Sequence, residues 1–103
     1  MHALVPTPET LRLTEFLQCL ADPIRLQIIS ELGETDDLEC GTFRVPVTKS
    51  TLSHHYRILR EAGVIATTKA GARSLNRLRR TELDSAFPGL LDAVLLSARE
   101  VHP

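Results

Sequence analysis

The sequence predicts a mainly α-helical domain carrying one small β-hairpin, and three observations predict it. Apolar residues recur at helical spacing in four stretches, over 13–20, 24–32, 52–62 and 90–98. Between the last two, VIATTKAGARSLNRL at 64–78 places β-branched and apolar residues on both sides of a small Gly-containing turn, the pattern of a hairpin. The whole chain has 103 residues with 43% hydrophobic content and no repeat or low-complexity segment, which suits a single domain over 1–103.

Each element has its own local reason. Thr7 can cap free amides and Pro8 suits a first helical position, so the first helix is expected to begin there and to bear Leu13, Phe16, Leu17 and Leu20 on one stripe. Asp22-Pro23 repeats the device for a second helix through Ile24, Ile28, Ile29 and Leu32, with Gly33 as its left-handed end. Residues 34–47, ETDDLECGTFRVPV, have no stripe and read as loop with at most one short turn.

A third helix is expected over about 48–62, capped by Thr48 and stopped by Gly63. On a helical wheel Leu52, His55, Tyr56, Leu59 and Ala62 gather on one side, while Lys49, Ser50, Ser53, His54, Arg57, Arg60 and Glu61 fill the opposite arc. The adjacent histidines therefore face different ways. His55 reads as a packed imidazole with an internal hydrogen bond, and His54 as an outward side chain beside Ser53 and Arg57. The hairpin is expected over about 64–78, with strands from Val64 to Lys69 and from Arg73 to Leu78. Thr81 is a candidate cap for a short turn. Pro88 opens a closing helix over about 88–101, bearing Leu90, Leu91, Val94, Leu95 and Ala98.

Charge is segregated along the chain although the formal net charge is only −1. Residues 1–40 carry two arginines against eight acids. Residues 41–80 carry nine Lys or Arg against Glu61 alone, and the remainder carries Arg99 against four acids. A local positive field of this kind attracts a polyanion, because phosphates respond to local potential rather than to net charge. MHALVPTPETLR lacks a basic segment followed by an apolar core, and LLDAVLLSA is short and contains Asp92, so the expectation is a cytoplasmic chain with neither a secretory leader nor a membrane span. Two cysteines, Cys19 and Cys40, form no CxxC pair and are expected as reduced thiols.

Helix, helix, loop, helix, two-stranded wing and closing helix is the order of a winged helix-turn-helix. LADPIRLQIISEL at 20–32 followed by STLSHHYRILREAGVI at 50–65 resembles the ArsR/SmtB family of bacterial transcriptional repressors. That resemblance implies a serine-histidine helix in the DNA major groove, a hairpin against the flanking backbone, and a homodimer formed through the first and last helices. Carried over by residue, it makes Ser50, Thr51, Ser53, His54 and Arg57 the groove-facing set and Lys69 and Arg73 the wing contacts, with Lys49 a further expected DNA-binding residue. Side-chain chemistry agrees, since a guanidinium can chelate a guanine edge and wing cations can neutralise phosphates. Leu13, Phe16, Leu17 and Leu20 with Leu91, Val94, Leu95 and Ala98 form the expected dimer interface, and the operator is expected to be an inverted repeat in double-stranded DNA.

Many relatives in that family sense metal through a Cys-x-Cys pair near the recognition helix or through Asp and His ligands on the last helix. Here Cys40 stands alone, with Glu39 and Asp37 as harder neighbours, and Asp92, Glu100 and His102 lack the Asp-x-His spacing. At most a weakly held Ni²⁺ or Zn²⁺ involving Cys40 is expected, because a tight divalent site needs several converging strong donors. Catalysis is not expected. Adjacent Ser53 and His54 on a helix cannot act as nucleophile and base, and no G-x-S-x-G elbow or Gly-rich phosphate loop occurs. The competing reading is a winged module that binds a protein partner, which the polar, basic face of the third helix disfavours.

Overall fold

The computed structural model describes residues 9–34, 38–39 and 47–101, with side chains placed for 9–34 and 47–98. Among the described residues, five helices and three strands follow in the order α1 Leu13–Leu20, α2 Pro23–Glu34, β1 Leu38–Glu39, α3 Lys49–Glu61, β2 Ile65–Ala70, β3 Arg73–Leu78, α4 Arg80–Ala86 and α5 Leu90–Val101. The sheet order is β1-β3-β2, antiparallel throughout.

One hydrophobic cluster joins every helix. Phe16 and Cys19 of α1, Ile28, Ile29 and Leu32 of α2, Leu52, Tyr56 and Leu59 of α3, Leu83 of α4 and Leu91 of α5 are all buried in it, with Val64, Ile65 and Leu78 contributed by the hairpin base. Phe16 stacks on Phe87 with ring centroids 5.4 Å apart and planes 6° from parallel, which ties α1 to the link between α4 and α5.

Helix boundaries follow the expected chemistry in α2 and α3. Asp22 Oδ1 accepts the amides of Ile24 and Arg25 at 2.8 and 3.1 Å, so Asp22-Pro23 does start α2. Thr48 Oγ1 accepts the Thr51 amide at 3.2 Å at the head of α3. At the other end Gly63 takes φ 79°, its amide donates to the Arg60 carbonyl and the Val64 amide to the Leu59 carbonyl. That double closure turns the chain straight from α3 into the wing.

Several expectations need correction. Helix α1 begins at Leu13 with no side-chain cap, and residues 9–10 form a turn before it; Thr7 and Pro8 themselves lie outside the described residues. Gly33 lies inside α2 rather than ending it with a left-handed conformation. Its reason is steric: an added Cβ would lie 2.9 Å from Leu95 Cδ2, so the missing side chain lets α5 approach α2 closely. Within 34–47, β1 is a two-residue strand pairing Leu38 with Asn76 and Glu39 with Leu75. The turn expected around Thr81 is a seven-residue helix whose N-cap position is Arg79, and α5 starts at Leu90, two residues after Pro88. Strand β2, Ile65–Ala70, is shifted one residue later than expected at both its start and its end, and Gly71, at φ 65°, opens the two-residue tip between Ala70 and Arg73.

Candidate nucleic-acid interface

Helix α3 is divided lengthwise as the wheel predicted. Leu52, His55, Tyr56 and Leu59 are buried, while Lys49, Ser50, Thr51, Ser53, His54, Arg57 and Arg60 are exposed. At the N-terminus the hydroxyls form a small network: Thr48 Oγ1 donates to Thr51 Oγ1 at 3.0 Å and lies 3.3 Å from Ser50 Oγ. The Ser50 and Thr51 side chains are therefore tied to the helix start, where the Thr51 amide is itself taken up by Thr48 Oγ1. Ser53, His54 and Arg57 project further along, with Arg57 Nη2 3.4 Å from His54 Nδ1. Lys69 and Arg73 are exposed on either side of the hairpin tip, in strand positions paired with Ser74 and Ala70.

Not every cation of the basic middle segment belongs to this surface. Arg79 is only 6% exposed; its Nη1 donates to the Gly63 carbonyl at 3.1 Å and its Nε to Glu82 at 3.2 Å. Its own amide donates to the Val64 carbonyl, so Arg79 stitches the end of α3 to the base of the wing. Arg80 Nη2 donates to the Gly33 carbonyl at 2.7 Å, near the end of α2, and its Nη1 lies 3.9 Å from Asp92. Arg44 lies outside the described residues. Lys49, Arg57, Arg60, Lys69, Arg73 and Arg77 are the exposed cations that remain.

Behind the exposed arc of α3, His55 is 8% exposed and its Nδ1 lies 3.3 Å from Arg25 Nη1. A guanidinium has no lone pair to offer, so Nδ1 must accept and the ring proton sits on Nε2. Burial is the main cause that pushes the His55 pKa down; Asp22 partly opposes it, and Arg25 and His54 reinforce it. For Asp22, burial alone would raise the carboxyl, but the Arg25 and Ile24 amides and the charges of His55 and Arg25 outweigh it and hold the pKa below 3.8. In the wing, Thr67 Oγ1 donates to Oδ1 of fully buried Asn76 at 2.6 Å, fixing the hairpin register with a polar pair that the alternation pattern did not reveal.

The proposed interface residues on α1 and α5 divide into two groups. Phe16 and Leu91 are buried within the single chain at 2% and 1% exposure, so they offer no free surface to a partner, and Ala98, at 3%, offers only an edge at a groove wall. Leu95 is spent over Gly33, against the core. Leu20, Val94 and Ala98 line an apolar groove of about 300 Å³ with Leu26, Ala93 and Ser97. On the same two helices Leu13 and Leu17 of α1 are 48% and 46% exposed, and Leu96 of α5, which the sequence stripe omitted, is 62% exposed. Cys40 lies outside the described residues, and among the described ones no group of three or more His, Cys, Asp or Glu is placed to hold a metal ion. Cys19 is buried, and burial raises its pKa, so it is a protonated, poorly reactive thiol at neutral pH. No described helix is long and apolar enough to cross a membrane.

No family model matches the chain. The HTH-type transcriptional regulator YceK of Bacillus subtilis (strain 168), itself uncharacterized, is 32% identical over 83 residues, which span 78% of this chain and 83% of YceK. The crystal structure of M. tuberculosis Rv0081 is 31% identical and superposes with a TM-score of 0.63 over 85% of this chain and 82% of that one. An ArsR-like transcriptional regulator from Rhodococcus sp. RHA1, at 23% identity, shares the fold with a TM-score of 0.64 over 85% and 84% of the two chains. With a regulator related at this identity over most of both lengths, an ArsR-like winged fold, and an α3 that carries its polar arc outward, this chain belongs to the HTH-type transcriptional regulators and has the winged helix-turn-helix fold of ArsR-like proteins.

Proposed function

We propose that the chain acts as a homodimeric repressor that lays α3 in the major groove of an inverted-repeat operator. Arg57, with Ser53 and His54, reads base edges; Lys49 and the hydroxyls of Ser50 and Thr51 hold phosphates. Lys69 and Arg73 hold the flanking backbone through the wing. The observation that carries this reading is the division of α3, whose polar arc is exposed along the helix while the opposite face anchors it in the core. The reading assigns the chain no catalysis and places it in the cytoplasm, where its DNA lies. Release by a weakly bound Ni²⁺ or Zn²⁺ at Cys40 remains part of the proposal, with Cys40→Ser expected to abolish any such binding in a calorimetric titration.

Two classes of contact should separate on titration. Arg57→Ala is expected to cost about 1–3 kcal/mol on the operator while leaving binding to a scrambled duplex nearly unchanged. Lys69→Ala should weaken both duplexes alike and reduce the salt dependence by about one charge. Fluorescence anisotropy at several salt concentrations measures both, and equal losses on the two duplexes for Arg57→Ala would sink the base-reading role.

The dimer is expected to form through α1 and α5, over the apolar groove that they line with Leu26 of α2, with Leu13, Leu17 and Leu96 as large apolar side chains that one chain leaves uncovered. Leu17→Asp should therefore give a folded monomer with weakened operator binding. Leu95→Asp should instead unfold the chain, because Leu95 packs over Gly33. Sedimentation together with far-UV circular dichroism distinguishes these outcomes, and a monomeric unmodified protein at micromolar concentration would exclude the dimer.

A further inference from the structure

We infer that Arg25 is a positioning residue for the recognition helix, holding α3 against α1 through the neutral imidazole of His55. Three edges of its guanidinium are committed at once. Nε donates to the Cys19 carbonyl at 3.1 Å and Nη2 to the Gln18 carbonyl at 3.0 Å, both near the end of α1, and Nη1 faces His55 Nδ1 at 3.3 Å on α3. The backbone of Arg25 is fixed in turn by Asp22, whose carboxylate accepts its amide. One side chain of α2 therefore joins the last turn of α1, the helix that bears the uncovered Leu13 and Leu17, to the helix proposed to read DNA. Its consequence for affinity rests on that DNA-reading role, whereas the clamp is a property of the protein alone.

The clamp works only while His55 can accept. Once protonated, the ring presents N–H at both nitrogens, so a donor and a positive charge face a guanidinium that remains charged at every relevant pH. The groups bearing on His55 are Asp22 at the head of α2, Arg25 on α2 and His54 on α3 itself. From α1, Glu15 and Cys19 line the cleft beside Arg25, and Glu61 of α3 closes it. Asp22 would attract an imidazolium, but burial and the two neighbouring bases outweigh it, so the folded pKa lies below the ordinary 6.5. The sign follows directly. A folded state that disfavours protonation keeps this contribution in full above the unfolded value and loses it as pH falls through the lowered folded one.

The test uses isotopically labelled wild-type protein titrated between about pH 8 and pH 5, read by NMR and, in parallel, by affinity for a duplex selected at neutral pH. The His55 ring, the Arg25 Nε–H and the Gln18 and Cys19 amides should shift with one midpoint, below that of an ordinary histidine. Duplex affinity should fall by roughly tenfold across the same midpoint, as loss of one net charge-assisted contact implies. His55→Gln, which keeps an acceptor but cannot titrate, should hold its affinity across the range, while His54→Gln should keep the titration, with its midpoint moved upward by loss of the neighbouring imidazole. Arg25 and α1 signals that stay still while His55 titrates would overturn the clamp, as would a wild-type pH profile in His55→Gln. If no duplex is preferred at any pH, the DNA-reading role falls and the NMR titration alone decides the clamp.

Discussion

Phe16→Ala is expected to lower the free energy of unfolding by about 3–5 kcal/mol, a large share of what a domain of this size has. The ring is 2% exposed and stacked on Phe87, so truncation removes its buried area, opens a cavity beneath α1 and strips the stacking partner from the α4–α5 link. Both helices proposed to join subunits lose an anchor together. Urea unfolding at a fixed protomer concentration is the appropriate measurement, because dimerisation adds to apparent stability by mass action. A loss under about 1 kcal/mol would mean that the site collapses around the cavity or that α1 is not anchored there.

Arg79→Ala should cost about 2–4 kcal/mol, an unusual sum for an arginine in a basic segment. The change leaves the buried Gly63 carbonyl without its guanidinium donor and removes a buried arginine stem, while Glu82, at 26% side-chain exposure, can turn to water and so moderates the loss. Arg79→Lys should recover only part of it, since one ammonium cannot reproduce two directed donors at the same spacing. Because Arg79 joins the end of α3 to the wing, the folded fraction of either variant should also show a weaker wing contribution, visible as a shallower salt dependence. Unfolding and salt titrations made on the same samples test both, and a neutral effect on stability would contradict the stitch.

How much the sequence reveals depends on whether the determining interaction is local. Asp22, Thr48 and Gly63 announce their helix ends because a cap is a contact within three or four residues, and the division of α3 is legible because its apolar spacing persists over the whole helix. The hairpin is legible for the same reason. Gly33 misleads because its cause, the nearness of Leu95, is 62 positions away in sequence. Strand β1, with two residues, is too short to have a period. An amphipathic stripe states that a face is buried without stating by what, so Phe16 and Leu91 look the same as Leu17 until the fold assigns the first two to the core. Counting charges has the same weakness: Arg79 and Arg80 add to the positive segment yet are directed at the Gly63 and Gly33 carbonyls. The Arg25–His55 contact, across 30 positions, left only one trace in the sequence, a histidine on an apolar stripe that needed an internal partner.

Whether paired copies of α3 read duplex DNA is decided by selecting bound duplexes from a random pool at physiological salt, with the unmodified protein and with Arg57→Ala side by side. The unmodified protein should enrich an inverted repeat whose half-site centres lie one or more helical turns apart, about 34–36 Å per turn. Arg57→Ala should enrich the same repeat with the preference lost at one symmetric pair of positions. A recovered pool with no shared sequence, or a repeat enriched identically when Arg57 is removed along with Ser53 and His54, would contradict DNA reading by α3.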